Sequence, residues 1–512
     1  MKNSVFLILI FLAVSVSSCN RNKMKTNEKA LSTQILTEEQ LLAREEAQRK
    51  EREKQLADSL AKLPVGFRFQ EERSVDPDNP PLIIDIVNSL DSIKNFNLSD
   101  VASSIEYIRM QPVPDSTLLT NMKYKYYLMG NNIVASDLYG IYLFTREGHY
   151  IRTIIKNELN GVSYEEKNDR VHVIWSDYMR IGASPIVWAR GNNLFYHYAN
   201  SNTGQTYIME YDCANPESFE NPYFDPEQPE QILGSGKISV DLTYGNTKPP
   251  VINRQGSMSM DSYSYYAQMN VFAPDRNVTI SIARGKNMMY VQNTKGELLT
   301  TFTKYERVEN YTKRVGRGTD YGTRYEKNGN MFYRTNFNDT IFQVIPPNRL
   351  LPVYVYNLGS YKLTMLQGKD PGFNLEGKIV PEDFADTKNY LFLTFCKDSY
   401  SCPNTRRNKT LKLYHALFNK KTRQLWILTT DPTDYDAPIL KNDIDGGVPV
   451  WPSSYMIGKN GEILTALTGK ELKAHVVSKA FQSSTAPADK KAELKQLAEQ
   501  TGDDEQVLMI VK

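Results

Sequence analysis

The residues best suited to chemistry lie between positions 305 and 333. Tyr305, Arg307, Tyr311, Lys313, Arg314, Arg317, Arg324, Tyr325 and Tyr333 follow one another there, punctuated by Gly316, Gly318, Gly322 and Gly329. Such a segment reads as a long inter-strand loop, and loops carry binding groups on a rigid scaffold. Tyrosine faces stack on sugar rings, and guanidinium groups clamp carboxylates through two parallel hydrogen bonds. An acidic glycan would use both, so Tyr305, Tyr311, Arg314, Arg317, Arg324, Tyr325 and Tyr333 form the candidate ligand-binding set. Tyr263, Tyr265 and Tyr266 make a second aromatic cluster. The competing reading is structural: the tyrosines alternate along solvent-facing strands, and the arginines are ordinary surface charges.

Other chemistry is sparse. His149, His172, His197, His415 and His475 are scattered without ligand spacing, so no metal site is expected. Asp443-Ile-Asp-Gly-Gly447 has the look of a calcium loop but lacks the later ligands. The chain has no P-loop, no His-Glu-x-x-His and no Gly-x-Ser-x-Gly elbow, and no cofactor is expected. Carboxylates are plentiful, yet no spacing identifies an acid–base pair. Lys and Arg number 61 against 59 Asp and Glu, a net charge of +2. Nucleic-acid binding would need a clustered basic surface, and nothing in the charge pattern suggests one.

The start of the chain bears on location. After the basic Met1-Lys2-Asn3, Val5 to Val14 is an unbroken apolar run. A bilayer span needs roughly 20 apolar residues, so this run has the length of a signal-peptide core. Val16-Ser17-Ser18-Cys19 then resembles the lipobox of bacterial lipoproteins, in which the signal (residues 1–18) is removed and the cysteine, here Cys19, is lipidated. The membrane is then a partner through the lipid anchor. Cys396 and Cys402 lie close in sequence, and in an exported protein they are candidates for a local disulfide.

The elements that must position these groups follow in order. Residues 19–63 read as a tether and a charged helix. Thr37 with Gln40 fits a capping box, Glu45–Arg49 and Glu46–Lys50 are i,i+4 pairs, and Pro64 marks the stop. The helix is polar on nearly all sides and suits a solvated stalk. Residues 64–97 read as a linker or entry segment. From about residue 82 onward, short apolar stretches alternate with Asn, Gly, Asp and Pro, the grammar of strands and turns.

Two signatures recur. Gly130-Asn-Asn-Ile-Val, Gly191-Asn-Asn-Leu-Phe, Gly329-Asn-Met-Phe-Tyr and Lys388-Asn-Tyr-Leu-Phe share a polar turn opening into apolar residues. Further copies are expected near Ala267–Val271 and Pro452–Met456. In the second signature a glycine stands six residues after a tyrosine: Tyr142 with Gly148, Tyr290 with Gly296, Tyr455 with Gly461. A glycine there suits a tight hairpin with positive φ. Weaker equivalents sit at Tyr207, Thr340 and Tyr414. A repeat of about 60 residues predicts an all-β six-bladed propeller. Ala488–Gln500 reads as a helix and Gln506–Val511 as a final strand that helps close the ring.

Several stretches resemble the six-bladed β-propeller lipoproteins of the Bacteroidetes, an uncharacterised family. Leu98–Arg109 resembles their opening segment, Ile141–Gly148 their first-blade hairpin, Asn338–Phe342 with Pro352–Tyr356 their mid-domain strand pair, and Asp503–Lys512 their closing strand. Asn160–Tyr164 stands where members often carry a Gly-Pro-Gly-Glu-Tyr-like turn, so no role is carried over to it. The resemblance implies a propeller over residues 98–512. The residues after Cys19 are basic or neutral rather than the acidic stretch of surface-exported proteins of that phylum, which implies an outer-membrane anchor facing the periplasm. Asp-Ser/Thr-aliphatic sites of that phylum's O-glycosylation are matched at Ser59, Ser92 and Thr340. The expected function is a binding or scaffold module for a glycan, peptide or envelope protein. The alternative is a glycan hydrolase or lyase using channel carboxylates.

Overall fold

The structure, a computed structural model, describes residues 38–113, 125–136, 140–156, 163–167, 170–174, 186–199, 206–215, 237–241, 271–275, 277–282, 287–293, 297–305, 323–327, 329–370, 372–399, 410–433 and 439–512. The signal and Cys19 lie outside them. The chain divides into two compact units, Met1–Gln55 and Leu56–Lys512. No helix among the described residues is long and apolar enough to cross a membrane.

Helix α1 (Glu38–Ala61) forms where the capping and i,i+4 pattern predicts it. Its last turns depart from the solvated-stalk expectation: Leu56 and Leu60 are partly buried against the apolar cluster built on Val278, Phe302 and Phe342. Residues 64–97 pair with the sheets along their course. The Phe69 amide donates to the Leu299 carbonyl at 2.8 Å, and Glu72 exchanges backbone hydrogen bonds with Asn348 and Leu350. The segment then forms β1 (Leu82–Asp85), the short helix α2 (Ile86–Ser89) and β2 (Ile93–Lys94). It leads into β3 (Ile105–Met110).

The rest is a succession of antiparallel meanders. The first sheet holds β4 (Lys125–Met129), β5 (Asn132–Ser136), β6 (Gly140–Thr145) and β7 (Tyr150–Lys156) in that order. A hairpin of β8 (Ser163–Lys167) and β9 (Arg170–Ile174) follows. The second sheet is β10 (Ile186–Arg190), β11 (Asn193–Ala199), β12 (Thr206–Asp212) and β13 (Lys237–Asp241). The third is β14 (Val271–Asp275), β15 (Val278–Ile282), β16 (Asn287–Asn293) and β17 (Leu298–Thr303). The fourth is β18 (Thr323–Lys327), β19 (Asn330–Arg334), β20 (Thr340–Ile345) and β21 (Arg349–Asn357), with β1 added in parallel beyond β21. The short helix α3 (Met365–Lys369) leads to the fifth: β22 (Ile379–Asp386), β23 (Tyr390–Lys397), β24 (Leu413–Asn419) and β25 (Leu425–Leu428), with β2 added beyond β25. In the last sheet β27 (Gln506–Val511) lies between β26 (Ile463–Thr468) and β3. Helices α4 (Gly469–Val476), α5 (Lys479–Gln482) and α6 (Ala488–Gln500) intervene between β26 and β27.

This is a propeller arrangement. First strands meet first strands: β4 touches β26 and β10, β10 touches β14, and β18 touches β22. Apolar clusters fill the spaces between sheets. One joins the first and second sheets, another the fourth and fifth, and another the closing sheet to the first. A sheet covered on both faces favours continuous apolar runs over alternation. Accordingly Ile133 to Ala135 and Ile141 to Phe144 are all buried.

Candidate functional site

The first strand of each meander has one edge toward the axis and no further strand beyond it. Here the apolar grammar breaks: β4 begins Lys-Tyr-Tyr, β18 reads Thr-Arg-Tyr-Glu-Lys, and β22 carries Glu-Asp at its centre. These strands and the turn that precedes β26 surround a cavity of about 510 Å³. Lys125 and Tyr127 enter it from β4, Arg324 and Glu326 from β18, and Glu382 and Asp383 from β22. Ser454, Tyr455 and Lys459 close the remaining side.

Lys125 and Tyr127 share a face of β4, and the ammonium lies 4.9 Å from the centre of the tyrosine ring. The surrounding protein pushes the Lys125 amine down to about 8, with Arg324 adding to the effect and Glu326 opposing it. Arg324 is reachable by water from the cavity yet enclosed by protein, which lowers it to about 10 and leaves it a cation at any working pH. Burial likewise raises the Tyr127 phenol, which stays protonated. Glu326 reaches across to the second sheet, where its Oε2 accepts from the Ala189 amide at 3.4 Å. Burial raises the Asp383 carboxyl, although it accepts from the amides of Phe384 at 2.8 Å and Ser454 at 3.2 Å. The Cys396 thiol lies 3.5 Å from Glu382 Oε1.

The family description "Domain of unknown function (DUF4933)" matches residues 64–478. The chain belongs to the DUF4933 family. The DUF4933 match begins where the chain starts to run along the ring and ends before α6 and the closing strand. Among solved structures, the chain is similar to a Bacteroides fragilis protein described as a candidate exported protein: 13% identity, 84% of this chain and 99% of that one, TM-score 0.43. It is also similar to a member of the DUF4221 family from Bacteroides vulgatus, with 10% identity over 80% of this chain and 97% of that one and a TM-score of 0.37. A third likeness is to the β-propeller domain of the trilobed protease from Pyrococcus furiosus: 10% identity, 68% and 78% coverage, TM-score 0.24. No curated protein matches this DUF4933 chain.

Of the predicted ligand-binding set, the described members Tyr305, Arg324, Tyr325 and Tyr333 lie in different surroundings. Arg324 lines the axial cavity. Tyr325 points between the fourth and fifth sheets, stacked on Phe332 at 4.7 Å, and Tyr333 is buried in the cluster of the third and fourth sheets. Both belong to strands rather than to a loop, and their rings are core. Tyr305 is exposed at the end of β17, where its ring stacks on Phe342 and lies 4.0 Å from the Arg73 guanidinium. Tyr311, Arg314 and Arg317 lie outside the described residues, as do Tyr263, Tyr265, Tyr266 and Cys402. Cys396 sits within β23. Ser59 and Ser92 are exposed, whereas Thr340 is partly buried in β20 with its hydroxyl donating to Asp339.

Sequence reasoning missed a second constellation at the end of the same inner strands. Asp386 is buried, and its carboxylate receives the ammonium groups of Lys327 (2.6 Å) and Lys420 and the hydroxyls of Tyr325 (2.7 Å) and Tyr354 (2.9 Å). Burial alone would raise this carboxyl; the two ammoniums outweigh it and hold it below the usual range. Burial pushes Lys420 down to about 8, against the pull of Asp386. This cluster is where the Tyr325 hydroxyl is used.

The Asp443–Gly447 loop is a structural turn. Asp443 accepts from the Ser99 amide and hydroxyl, and Asp445 accepts from the Gly447 amide. Among the described residues no group of three or more His, Cys, Asp or Glu is placed to hold a metal ion.

Proposed function

We propose that this chain is a lipid-anchored binding or scaffold module of the cell envelope, built on a six-bladed ring that takes its ligand at the axial cavity. The blades are the five meanders and the closing sheet of β26, β27 and β3. The anchor is Cys19, which places the ring at the outer membrane facing the periplasm; Ser59 and Ser92 are the accessible candidates for O-glycosylation. The observation that carries the functional reading is the cavity wall itself. Strand β18 puts Arg324 and Glu326 where a packed core has no use for charge, beside Tyr127 and a half-exposed Tyr455. Concave sites with a few convergent polar groups and aromatic walls are what ligand recognition uses. The ligand class is a glycan, a peptide or a segment of a partner protein.

A second reading is a glycan hydrolase or lyase, favoured by Asp383, whose carboxyl is raised by burial at the cavity wall. One experiment addresses both. The full chain is screened against bacterial-surface and host glycans, and the recovered glycans are analysed by mass spectrometry. The binding reading expects intact glycans, with retention reduced at least tenfold by Tyr455→Ala. Shortened glycans would replace it with the enzyme. Retention unchanged in Tyr455→Ala would remove the cavity from the account.

A further inference from the structure

Resting on the reading of the axial cavity as the binding site, we infer that Arg334 is a positioning residue for it, fixing the bulge of β22 that presents Glu382 and Asp383 to the ligand. Arg334 ends β19 and is not among the residues that line the cavity. It is 1% exposed. A cation so enclosed is costly unless its donors are satisfied. Among the described residues it forms no ion pair, and its acceptors are all main-chain carbonyls. Nη1 donates to Thr335 at 3.4 Å and Asn338 at 3.3 Å, in the turn between β19 and β20. Nη2 donates to Pro381 at 2.9 Å and Glu382 at 3.4 Å, in the first strand of the fifth sheet. The two arms of one rigid fork thus tie a turn of the fourth sheet to β22.

The point that Arg334 grips on β22 is irregular. Pro381 pairs with Phe395 and Asp383 with Thr394, which leaves Glu382 as an extra residue. Pro381 has no amide to give the ladder, and such positions are where strands bulge. Successive side chains of a regular strand face opposite sides of a sheet. Across this bulge Glu382 and Asp383 both line the cavity. The Glu382 carbonyl is held from the fourth sheet twice, by Arg334 and by the Thr323 hydroxyl at 3.2 Å. Thr323 and Arg334 are register partners of β18 and β19, so both donors come from the end of the hairpin that also brings Arg324 to the cavity. Of the two, Arg334 carries the charge, and charge-assisted hydrogen bonds are roughly twice as strong as neutral ones. Asp383 in turn accepts the Ser454 amide, which extends the same order to the neighbouring wall.

Hydrogen–deuterium exchange of the full chain, followed by mass spectrometry, reads the bulge without a ligand. Arg334→Gln is expected to speed exchange at least tenfold in peptides spanning 379–386 and 452–458, and to leave 506–511 in the closing sheet within about twofold. Arg334→Lys keeps the charge but lacks the second arm of the fork. It is expected to show the same local pattern, and it carries the test should Arg334→Gln fail to fold. Equal acceleration in all of these peptides would reduce Arg334 to a stabilising residue and overturn the inference, as would unchanged exchange at 379–386. The same variants enter the screen against bacterial-surface and host glycans, where retention is expected to fall at least tenfold. Local acceleration with undiminished retention, in a chain that loses retention on Tyr455→Ala, would overturn the positioning role and leave the cavity reading standing. Retention unchanged by Tyr455→Ala, or no retention by the wild type, would overturn both.

Discussion

Asp386 shows how one carboxylate can organise the junction of two sheets. Its side chain is 1% exposed and touches two ammoniums and two phenols from β18, β21 and the β24–β25 turn. A buried ion pair adds little net stability, but removing one partner leaves an uncompensated charge and costs about 3–5 kcal/mol. The pH dependence has a definite sign. Lys420 has a folded value near 8, below the unfolded 10.5, so between those limits the unfolded chain binds the proton that the folded chain releases. Stability from this group therefore rises with pH across that window. Asp386 is depressed in the folded state, so its contribution is present above pH 3.8 and is lost as pH falls through the folded value. In urea denaturation between pH 8 and 9.5, the wild type is expected to gain stability relative to Lys420→Met as the pH increases. A constant difference across that range would show that the Lys420 amine keeps its ordinary value.

At the scale of elements, residues 64–97 cover edges that the fourth and fifth sheets would otherwise expose. Strand β1 pairs in parallel with β21 and β2 with β25, so the outermost strand of each meander gains a partner. An open edge invites pairing with another chain. The two faces of β1 differ: Ile84 is fully buried in the cluster of the fourth and fifth sheets, while Ile83 is half-exposed. Ile84→Ala is expected to cost about 2–5 kcal/mol in urea denaturation, and Ile83→Ala well under 1 kcal/mol. Equal effects would mean that β1 does not hold this register.

Much of the element pattern was legible because turns impose backbone requirements that few residues meet. Gly130, Gly191 and Gly329 all adopt positive φ at the turn between the first and second strands of their sheets. Tyr142, Tyr207, Tyr290, Thr340 and Tyr414 all fall on third strands. The copy expected near Ala267–Val271 falls mostly outside the described residues; in the third sheet the polar Asn277 opens into β15. The copy at Pro452–Met456 is a single 3-10 turn, because the closing sheet draws its third strand from β3 rather than from a local repeat. The cavity was not legible as a site. Its residues come from strands that begin 56 or more positions apart, β18 at Thr323 and β22 at Ile379 being the nearest pair, and converge through ring closure; the available signal was charge on the first strand of each repeat. Within the Tyr/Arg run, β18 sends Arg324 to the axis and Tyr325 into the core, so adjacent residues serve opposite purposes.

For the whole molecule the decisive event is the meeting of the two ends of the ring. Strand β27 pairs along its full length with β26 on one side and with β3 on the other, joining Val511 to Ile105 and Gln506 to Met110. No local contact can substitute for it, since the pairing strands are nearly 400 residues apart, and such closure is entropically late. Two kinds of interaction hold the seam. Arg109–Glu505 at 3.0 Å and Lys512–Glu106 at 2.7 Å are ion pairs with exposed partners. Exposed pairs typically contribute about 0–1 kcal/mol. Val507, Leu508, Met509 and Ile510 are fully buried, alternating between the clusters on the two faces of the sheet. Burial should therefore dominate by a wide margin. Glu505→Gln is expected to change unfolding stability by under 1 kcal/mol, whereas Met509→Ala should cost about 2–5 kcal/mol. Truncation after Gln500, which removes β27 and leaves β26 and β3 without their shared partner, should abolish a single cooperative transition. A truncated chain that still melted cooperatively at the wild-type temperature would show that the meanders support one another without a closed ring.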